Sequence, residues 1–301
     1  MRFTKMHGCG NDYIYVEASS QTIDDPPSLA VAMADRHVGI GADGLILILD
    51  PDNPEQADLR MRIFNADGSE AEMCGNGIRC VCKYAHDRNL TRANPMRIET
   101  EAGELSLQYT IDDSGLVDRV SVDMGEPILS LPAIPVLADE FVWSQKCFHG
   151  IELADACWNG VFVSMGNPHL VLFANEHPEL MAGELAQLDV AKIGSQLENH
   201  QAFPQRMNIH FVQVVSPGEI IMRTWERGSG ITQACGTGAC AVCVAGVLTK
   251  LTDRTILAHL PGGDLELEWD EASNHVLMTG PAVEICTGQW SGANMREGVR
   301  S

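Results

Sequence analysis

Two cysteines occur in the same short motif, Cys74–Gly77 (CGNG) and Cys235–Gly238 (CGTG), 161 positions apart. Each glycine-rich turn runs into a long apolar stretch, which predicts a thiol at the start of a helix. A helix N-terminus lowers the pKa of a thiol and makes the thiolate available as a base. The exposed amides of the first helical turn attract an anion such as a carboxylate. The repeated motif therefore predicts a paired acid and base beside a carboxylate site.

Two thiols on opposite faces of one carbon suit an inversion of stereochemistry. One thiolate removes the hydrogen α to a carboxylate, and the opposing thiol delivers a proton from the other side. Preorganised backbone donors at the carboxylate stabilise the charge of the carbanion as it develops. The two thiols must start in opposite protonation states, so each substrate enantiomer requires its own form of the enzyme.

The sequence around the two motifs is repeated as well. At the same offset, Met61–Arg62 recurs as Met222–Arg223. Further upstream, the segment Gly10–Val16 resembles Gly166–Leu172 at an offset of 156. Ordered similarity at so long a period indicates a duplicated domain and not a solenoid, whose repeats are far shorter. The sequence predicts two homologous halves, each delivering one cysteine.

Composition excludes some classes of partner. The net charge is −21 with only 20 Lys and Arg residues, which argues against binding of nucleic-acid backbones. The N-terminal residues Met1–His7 turn polar before any apolar core of signal-peptide length. The longest apolar run, Ala239–Leu248, has ten residues, whereas a membrane helix needs about 20. We therefore expect a cytoplasmic protein that binds neither nucleic acid nor membrane.

Ten cysteines in a reducing compartment are expected to be free thiols and not disulfides. Apart from the paired motif, we expect them to be small buried hydrophobic residues. They are Cys9, Cys80, Cys82, Cys147, Cys157, Cys240, Cys243 and Cys286.

Apolar periodicity and turn signals predict short strands and one long helix after each cysteine. In the first half we predict helices at 28–36 and 77–89 and strands at 12–18, 45–49, 59–64, 97–100, 104–111 and 116–123. In the second half we predict a helix within 185–198, the second cysteine helix, and strands at 160–163, 169–173, 209–215, 219–225, 255–260, 264–269 and 275–278. This pattern predicts an α+β fold of two pseudo-symmetric domains, each a mostly antiparallel sheet curled around a central helix. The expected halves are 1–122 and 123–278, with a polar tail at 291–301.

Several motifs in a fixed order give the chain a family resemblance. They are residues 8–13 (GCGNDY), 36–44 (RHVGIGADG), 65–69 (NADGS), 73–80 (MCGNGIRC), 166–169 (GNPH), 206–208 (RMN), 225–228 (WERG) and 234–238 (ACGTG). Over roughly residues 1–290 the chain resembles the diaminopimelate epimerases. The resemblance implies an isomerase without cofactor, metal or pyridoxal phosphate that converts LL- to meso-diaminopimelate for lysine and peptidoglycan precursors. It also implies a small-molecule substrate, a homodimer and a strand at about 279–290 that returns to the first domain.

The resemblance assigns a role to individual residues as well. Cys74 and Cys235 are implied as the two catalytic acid/base residues. His169 and Glu226 are implied as polar neighbours that help one or other thiol to ionise. The implied substrate contacts are the amides of Gly75, Asn76, Gly236 and Thr237 for the carboxylate at the reacting carbon, Glu226 and the Arg227 carbonyl for its ammonium group, and Asn65, Asn167, Asn208 and the Arg227 side chain for the distal end, with Asn11 lining the site.

Three alternatives remain at this point. A metal-binding module would use the pair Cys80 and Cys82 with the pair Cys240 and Cys243, although these lie in apolar helices with unequal spacing. A thiol redox protein would use the two motif cysteines as a switchable disulfide. Proline racemases and hydroxyproline epimerases also use paired cysteines, but the asparagine set together with Glu226–Arg227 favours a substrate with two amino-acid ends.

Overall fold

The computed structural model describes residues 1–137, 142–144, 147–153, 156–177 and 185–292. The chain divides into two compact units, one made of Met1–Val122 with Gly280–Ser301 and the other of Asp123–Thr279. The first unit carries Cys74 and the second carries Cys235. The tail expected at 291–301 lies outside the described residues from residue 293 onward.

The first unit is a mostly antiparallel sheet with two helices. Its elements are β1 (Arg2–Gly8), β2 (Asn11–Glu17), α1 (Pro26–Ala34), β3 (Gly44–Leu49), β4 (Leu59–Asn65), β5 (Glu70–Ala71), α2 (Gly75–Asp87), β6 (Met96–Thr100), β7 (Gly103–Ile111), β8 (Val117–Asp123) and, at the far end of the chain, β19 (Val283–Gln289). The pairing order is β19-β1-β2-β3-β4-β6-β7-β8, and β5 is a short partner of β4. The parallel pairs are β2 with β3 and β4 with β6. Helices α1 and α2 make the crossovers that parallel neighbours require.

The second unit follows the same plan. Its elements are β9 (Val142–Ser144), β10 (Cys147–Leu153), β11 (Ala156–Ser164), β12 (Pro168–Phe173), α3 (Val190–Glu198), β13 (Asn208–Ser216), β14 (Glu219–Glu226), β15 (Gly230–Ile231), α4 (Gly236–Thr249), β16 (Thr255–Leu260), β17 (Gly263–Trp269) and β18 (Val276–Pro281). The pairing order is β9-β10-β11-β12-β13-β14-β16-β17-β18, with β15 beside β14. Its parallel pairs, β12 with β13 and β14 with β16, again flank the crossover helices α3 and α4.

The predicted α+β class is confirmed, and the sequence repeat corresponds to a repeated topology. In each unit the cysteine helix follows a strand and a two-residue hairpin partner, and then returns to a strand parallel to the first. Nearly every residue of α2 is buried, as is the stretch Gly238–Gly246 of α4. A helix that is apolar on all sides belongs in a protein core, which matches the expectation for the run at 239–248. Among the described residues no helix is long and apolar enough to span a membrane.

The sequence pattern does not predict strand β1. Its buried positions are Thr4, Met6 and Gly8, so the inward face carries one large apolar residue among small or polar ones. The alternation that identifies a half-buried strand is therefore weak. Pairing with β2 on one side and with β19 on the other forms the strand, and neither partner is visible in the local sequence.

The expectation of buried cysteines holds for Cys9, Cys80, Cys82, Cys240 and Cys243. It is wrong for Cys286, which is exposed. This residue lies in β19, where the side chains from Val283 to Thr287 are all exposed, so neither face of this stretch is covered within the described part of the chain. The side chains of Cys147 and Cys157 lie outside the described residues.

Candidate active site

Cys74 is the N-cap residue of α2 and has an extended backbone conformation just before the helix begins. Its sulfur accepts a hydrogen bond from the Gly77 amide at 3.4 Å, one of the free donors of the first turn. The thiol also lies 3.4 Å from Asn11 Oδ1, to which it donates when protonated. A Cβ atom at Gly77 would lie 2.6 Å from Ile46 Cδ1, so glycine permits the close packing of this turn. The partly exposed thiol therefore stands where the sequence motif places it.

Asn11 is oriented by a network of charged side chains. Its Nδ2 donates to Asp43 Oδ2 at 2.7 Å, which leaves Oδ1 facing Cys74. Arg36 binds both Asp43 and Asp12, at 2.8 and 2.7 Å. Burial acts to raise the pKa of Asp12, but the hydrogen bonds from Arg36 and from a lysine outweigh it and the pKa is lowered. The ionised network fixes which end of the Asn11 amide meets the thiol.

Arg79 is a fully buried cation beneath the first turn of α2. Its guanidinium donates to the Gly75 carbonyl at 3.1 Å and to Asn76 Oδ1 at 3.0 Å. Its Nε donates to the Pro281 carbonyl at 3.2 Å. The sequence pattern did not identify Arg79 as a functional residue, although its spacing from Gly75 and Asn76 indicates a shared helix face. Arg79 follows Asn76 by three positions and Gly75 by four, and such residues share a helix face.

Tyr13 contacts the first thiol and was also missed. Its hydroxyl forms a hydrogen bond with Cys74, and its side chain is buried. The neighbouring Cys74, followed by burial, raises the pKa of the Tyr13 phenol far above its usual value, so the hydroxyl acts as a donor. In the strand register Tyr13 pairs with Gly44, and Gly44 pairs with Asn65. The predicted contact residue Asn65 thus lies at the same level of the sheet, where its Nδ2 donates to Ser69 Oγ at 3.0 Å.

Cys235 is the N-cap residue of α4 and is only 4% exposed. Its sulfur lies 3.7 Å from Thr237 Oγ1. Burial, followed by the charge of Glu226, raises the pKa of the Cys235 thiol well above its usual value. Hydrogen bonds from Thr237 and from the Gly238 amide act in the opposite direction and do not outweigh burial. Burial and the Glu226 charge therefore both favour the protonated thiol at Cys235.

Glu226 is the last residue of β14 and touches the second thiol. Its Oε1 accepts a hydrogen bond from Thr232 Oγ1 at 2.5 Å, and its carboxylate also hydrogen-bonds the Cys235 side chain. The negative charge of Glu226 opposes ionisation of the Cys235 thiol. The carboxylate is also a hydrogen-bond acceptor for the thiol proton. The structure therefore brings this predicted neighbour to Cys235.

A row of polar side chains runs through the second unit to the first turn of α4. Thr224 Oγ1 lies 3.0 Å from His210 Nδ1, and His210 Nε2 lies 2.9 Å from His169 Nδ1. His169 Nε2 lies 2.8 Å from Asn167 Oδ1, and Asn167 Nδ2 donates to Thr237 Oγ1 at 3.3 Å. Within its own unit, His169 therefore connects to the second thiol through Asn167 and Thr237. His210 was not singled out by the sequence, where it is one polar residue in an apolar strand.

Asn208 anchors the loop that carries Arg227. Its Nδ2 donates to the Pro168 carbonyl at 2.8 Å, and its Oδ1 accepts from the Arg227 amide at 2.9 Å. The same loop is held by Glu198, a buried carboxylate that accepts from the Gly228 amide at 2.9 Å. Two predicted contact residues, Asn208 and Arg227, are thus joined to each other and to the start of β12.

The candidate residues form two groups. In the first unit the structure brings together Asn11, Cys74 and Asn76, with Gly75 in the same turn and Asn65 farther along the sheet. In the second unit it brings together Cys235, Gly236, Thr237, Asn167, His169 and Glu226, with Asn208 and Arg227 at the adjoining loop. Each group contains a thiol, a helix N-terminus and asparagine side chains, which are the parts that an acid/base reaction beside a carboxylate requires.

The remaining cysteines of the two helices lie in the core. Burial raises the pKa of Cys80 to about 11 and those of Cys82 and Cys243 to about 12, so these thiols stay protonated at neutral pH. Across the described ranges, no group of three or more His, Cys, Asp and Glu residues is arranged to hold a metal ion.

The chain matches one protein family over most of its length. The family model described as diaminopimelate epimerase matches residues 3–130 and 161–285. A diaminopimelate epimerase of Agathobacter rectalis is 48% identical over 293 residues, which cover 96% of this chain and 99% of that protein. A diaminopimelate epimerase of Acetivibrio thermocellus is 48% identical over 289 residues, with coverage of 96% and 98%.

Solved structures with the same fold are more distant in sequence. A probable proline racemase from Agrobacterium radiobacter superposes with a TM-score of 0.68 at 15% identity, covering 98% of this chain and 94% of that one. A hydroxyproline epimerase from Agrobacterium vitis has a TM-score of 0.64 at 14% identity, with coverage of 96% and 91%. At such low sequence identity, these superpositions show a common fold and nothing further.

Proposed function

Because the chain belongs to the diaminopimelate epimerase family, we propose that it interconverts LL- and meso-diaminopimelate by two-base proton transfer between Cys74 and Cys235. The observation that carries the proposal is the repeated N-cap cysteine, one at the start of a buried helix in each unit. The first-turn amides at Gly75, Asn76, Gly236 and Thr237 are the proposed donors to the carboxylate at the reacting carbon. The free N–H groups and the dipole of a helix N-terminus both favour an anion there.

The two thiols differ in the way that a two-base reaction requires. Burial and Glu226 keep Cys235 protonated, so it is the acid in the substrate-free form. We assign Cys74 as the base, because the Gly77 amide and the Tyr13 hydroxyl donate to its sulfur and favour a thiolate against the opposing contact with Asn11 Oδ1. The Cys74 thiolate takes the α-proton, the electron pair stays on the α-carbon beside the carboxylate, and the Cys235 thiol gives that carbon its proton. After one turnover Cys74 is a thiol and Cys235 a thiolate.

The other proposed contacts follow the same division. Glu226 and the Arg227 carbonyl receive the ammonium group at the reacting carbon. Asn65, Asn167, Asn208 and the Arg227 side chain hold the distal amino-acid end, with Asn11 lining the site. The support is that a fixed network orients Asn11 and that the backbone of Arg227 is tied to Asn208.

The proposed setting is the cytoplasm, where the enzyme acts as a homodimer on a small-molecule substrate. The product supplies lysine and peptidoglycan precursors. We propose that the reaction needs no metal and no organic cofactor, since a thiolate and a thiol complete the proton balance by themselves. Proline and hydroxyproline are the substrates to test as alternatives, because a racemase and an epimerase acting on such rings have the same fold.

The direct test is incubation of the reduced protein with LL-diaminopimelate in deuterated water, without added cofactor. NMR should show the meso product carrying deuterium at one α-carbon. Cys74→Ala and Cys235→Ala should each abolish the conversion. Parallel reactions with L-proline and trans-4-hydroxy-L-proline should show no exchange. Conversion of a proline ring with no change to diaminopimelate would reject the proposed substrate.

A further inference from the structure

Two directions of proton donation are possible along the row that ends at Thr237. In the first direction, Thr224 donates to His210 Nδ1, His210 Nε2 donates to His169 Nδ1, and His169 Nε2 donates to Asn167 Oδ1. In the second direction every bond is reversed and the Asn167 amide is turned over. Each direction is self-consistent because a neutral imidazole has one donor and one acceptor nitrogen.

The two histidines are neutral. Both rings are fully buried, and burial lowers the pKa of His210 to about 3. Burial, followed by the neighbouring His210 and Arg227, lowers the pKa of His169 well below its usual value. A charged ring would donate at both nitrogens and break one bond of the row. The row therefore has a direction at neutral pH.

The direction decides what the Thr237 hydroxyl can do. The structure places Asn167 Oδ1 against His169 and Nδ2 against Thr237 Oγ1, which is the first direction. Thr237 then accepts from Asn167, and its own hydrogen is available for the Cys235 sulfur 3.7 Å away. In the second direction Thr237 would donate to Asn167 instead, and the sulfur would lose this donor.

We propose that His210 is a positioning residue which, together with Thr224, holds His169 as the Nε2–H tautomer and so aims the Thr237 hydroxyl at the Cys235 sulfur. The six residues Thr224, His210, His169, Asn167, Thr237 and Cys235 form what we call the donor chain. Its role in turnover rests on the proposed function, in which Cys235 must become a thiolate. A donor at the sulfur stabilises that thiolate against the unfavourable burial and charge around it.

The packing at the start of α4 holds His210 in place. A Cβ atom on Gly238 would lie 2.2 Å from His210 Cε1, so the imidazole lies directly against the first turn of the helix. Glycine at position 238 therefore leaves the space that the His210 ring occupies. The fixed ring keeps the middle of the donor chain from rotating to an alternative partner.

The sequence repeat also supports a hydrogen-bond donor at the Cys235 sulfur. At the offset of 156, Tyr13 of the first unit corresponds to His169 of the second. The Tyr13 hydroxyl donates a hydrogen bond directly to the Cys74 sulfur. The donor chain supplies Cys235 with the matching interaction through two intermediate side chains. Each thiol thus has one donor that depends on this position of the repeat.

The direction can be measured without any activity. We expect long-range proton–nitrogen NMR of protein labelled with ¹⁵N-histidine to show both His169 and His210 as neutral Nε2–H tautomers, with signals assigned by single histidine variants. Observation of Nδ1–H tautomers, or of charged rings, at neutral pH would overturn the proposal. Because this readout needs no substrate, it stands even if diaminopimelate proves to be the wrong substrate.

A matched pair of variants connects the direction to catalysis. Thr224→Val removes the hydroxyl that starts the donor chain, and we expect loss of the single His210 tautomer and about a fivefold fall in kcat/KM, the size of one hydrogen bond. Thr252→Val is the control, because Thr252 Oγ1 is buried in the same unit and has no hydrogen-bond partner in the described part of the chain. Equal kinetics and unchanged tautomers in the two variants would reject the proposal. A shifted tautomer with unchanged kinetics would reject the connection to Cys235.

Discussion

The two cysteines occupy the same position of a repeat and yet have different surroundings. Cys74 is partly exposed and accepts hydrogen bonds from Gly77 and Tyr13. Cys235 is buried next to the carboxylate of Glu226. The repeat therefore provides two thiols, and the proposed reaction assigns them opposite proton states because their surroundings differ. A pair of identical surroundings would leave each form equally populated.

Alkylation should distinguish the two thiols, because only a thiolate reacts quickly with iodoacetamide. At neutral pH and without substrate, we expect Cys74 to be modified at least tenfold faster than Cys235, whose raised pKa and burial both slow it. Peptide mass spectrometry gives the rates, with exposed Cys286 and buried Cys80 as internal controls for access. Equal rates for the two motif cysteines would contradict the assigned proton states.

Tyr13→Phe removes one hydroxyl and leaves the ring that packs in the core. We expect kcat/KM to fall about tenfold and the thiolate absorbance of Cys74 to decrease at a given pH, since the sulfur loses a donor. Tyr109→Phe is the control, because the Tyr109 hydroxyl donates to the Arg92 carbonyl at 3.0 Å on the surface. A Tyr13 variant with the absorbance and kinetics of the Tyr109 variant would show that the hydroxyl does not act on the thiol.

The start of helix α2 depends on a buried cation. The planar guanidinium of Arg79 makes at least four hydrogen bonds, two of them with acceptors in the turn that follows Cys74. Lysine keeps the charge but lacks the fork of donors that reaches several acceptors at once. We therefore expect the order of the first turn of α2 to depend on the Arg79 guanidinium.

Arg79→Lys should lower the free energy of unfolding by about 2 kcal/mol, the usual consequence of buried acceptors losing their donors. It should also raise KM, because the Gly75 and Asn76 amides are the proposed carboxylate donors. Urea titrations and steady-state kinetics measure the two effects. Arg92→Lys is the control, since Arg92 is exposed and the hydrogen bonds described for its guanidinium go to the Asn89 side chain. A stable variant with unchanged KM would show that Arg79 does not support the turn.

The sequence predicts the elements that have a strong local pattern and misses those that depend on distant partners. Both cysteine helices and the apolar strands were predictable, because each has a strong local period and a turn beside it. Strand β1 was not, since its pattern depends on partners far away in the chain. Arg79, Tyr13 and His210 were missed for a related reason. Their roles come from bonds across elements, and the residue types alone do not reveal which partner the fold provides.

The core of the second unit contains a pair of buried histidines. His169 and His210 are buried and neutral in the folded protein, and both have lowered pKa values. In the unfolded chain these rings titrate near their ordinary value of about 6.5. Acid therefore favours the unfolded chain, which can bind protons that the folded protein cannot.

Stability should fall as the pH drops below about 6.5 and keep falling toward the folded pKa of His210, about 3. Each ring contributes about 1.4 kcal/mol per pH unit within its window, and above that window the contribution is constant. Urea titrations from pH 7.5 to 5.0 measure the slope, and His210→Phe should remove the part that belongs to one ring. A slope that is equal in the variant would show that His210 is not buried and neutral.

The proposed reaction needs two different thiols, Cys74 to take the α-proton and Cys235 to supply the new one. The most direct measurement follows early turnover of LL-diaminopimelate in deuterated water, with isotope content determined separately in substrate and product. We expect one solvent deuterium in each new meso molecule, while the remaining LL-diaminopimelate keeps its hydrogen, because the thiol that receives the α-proton is not the one that supplies the new proton. Deuterium entering the remaining substrate as fast as the product, or a product that retains the original hydrogen, would contradict it by showing that a single group carries the proton both ways.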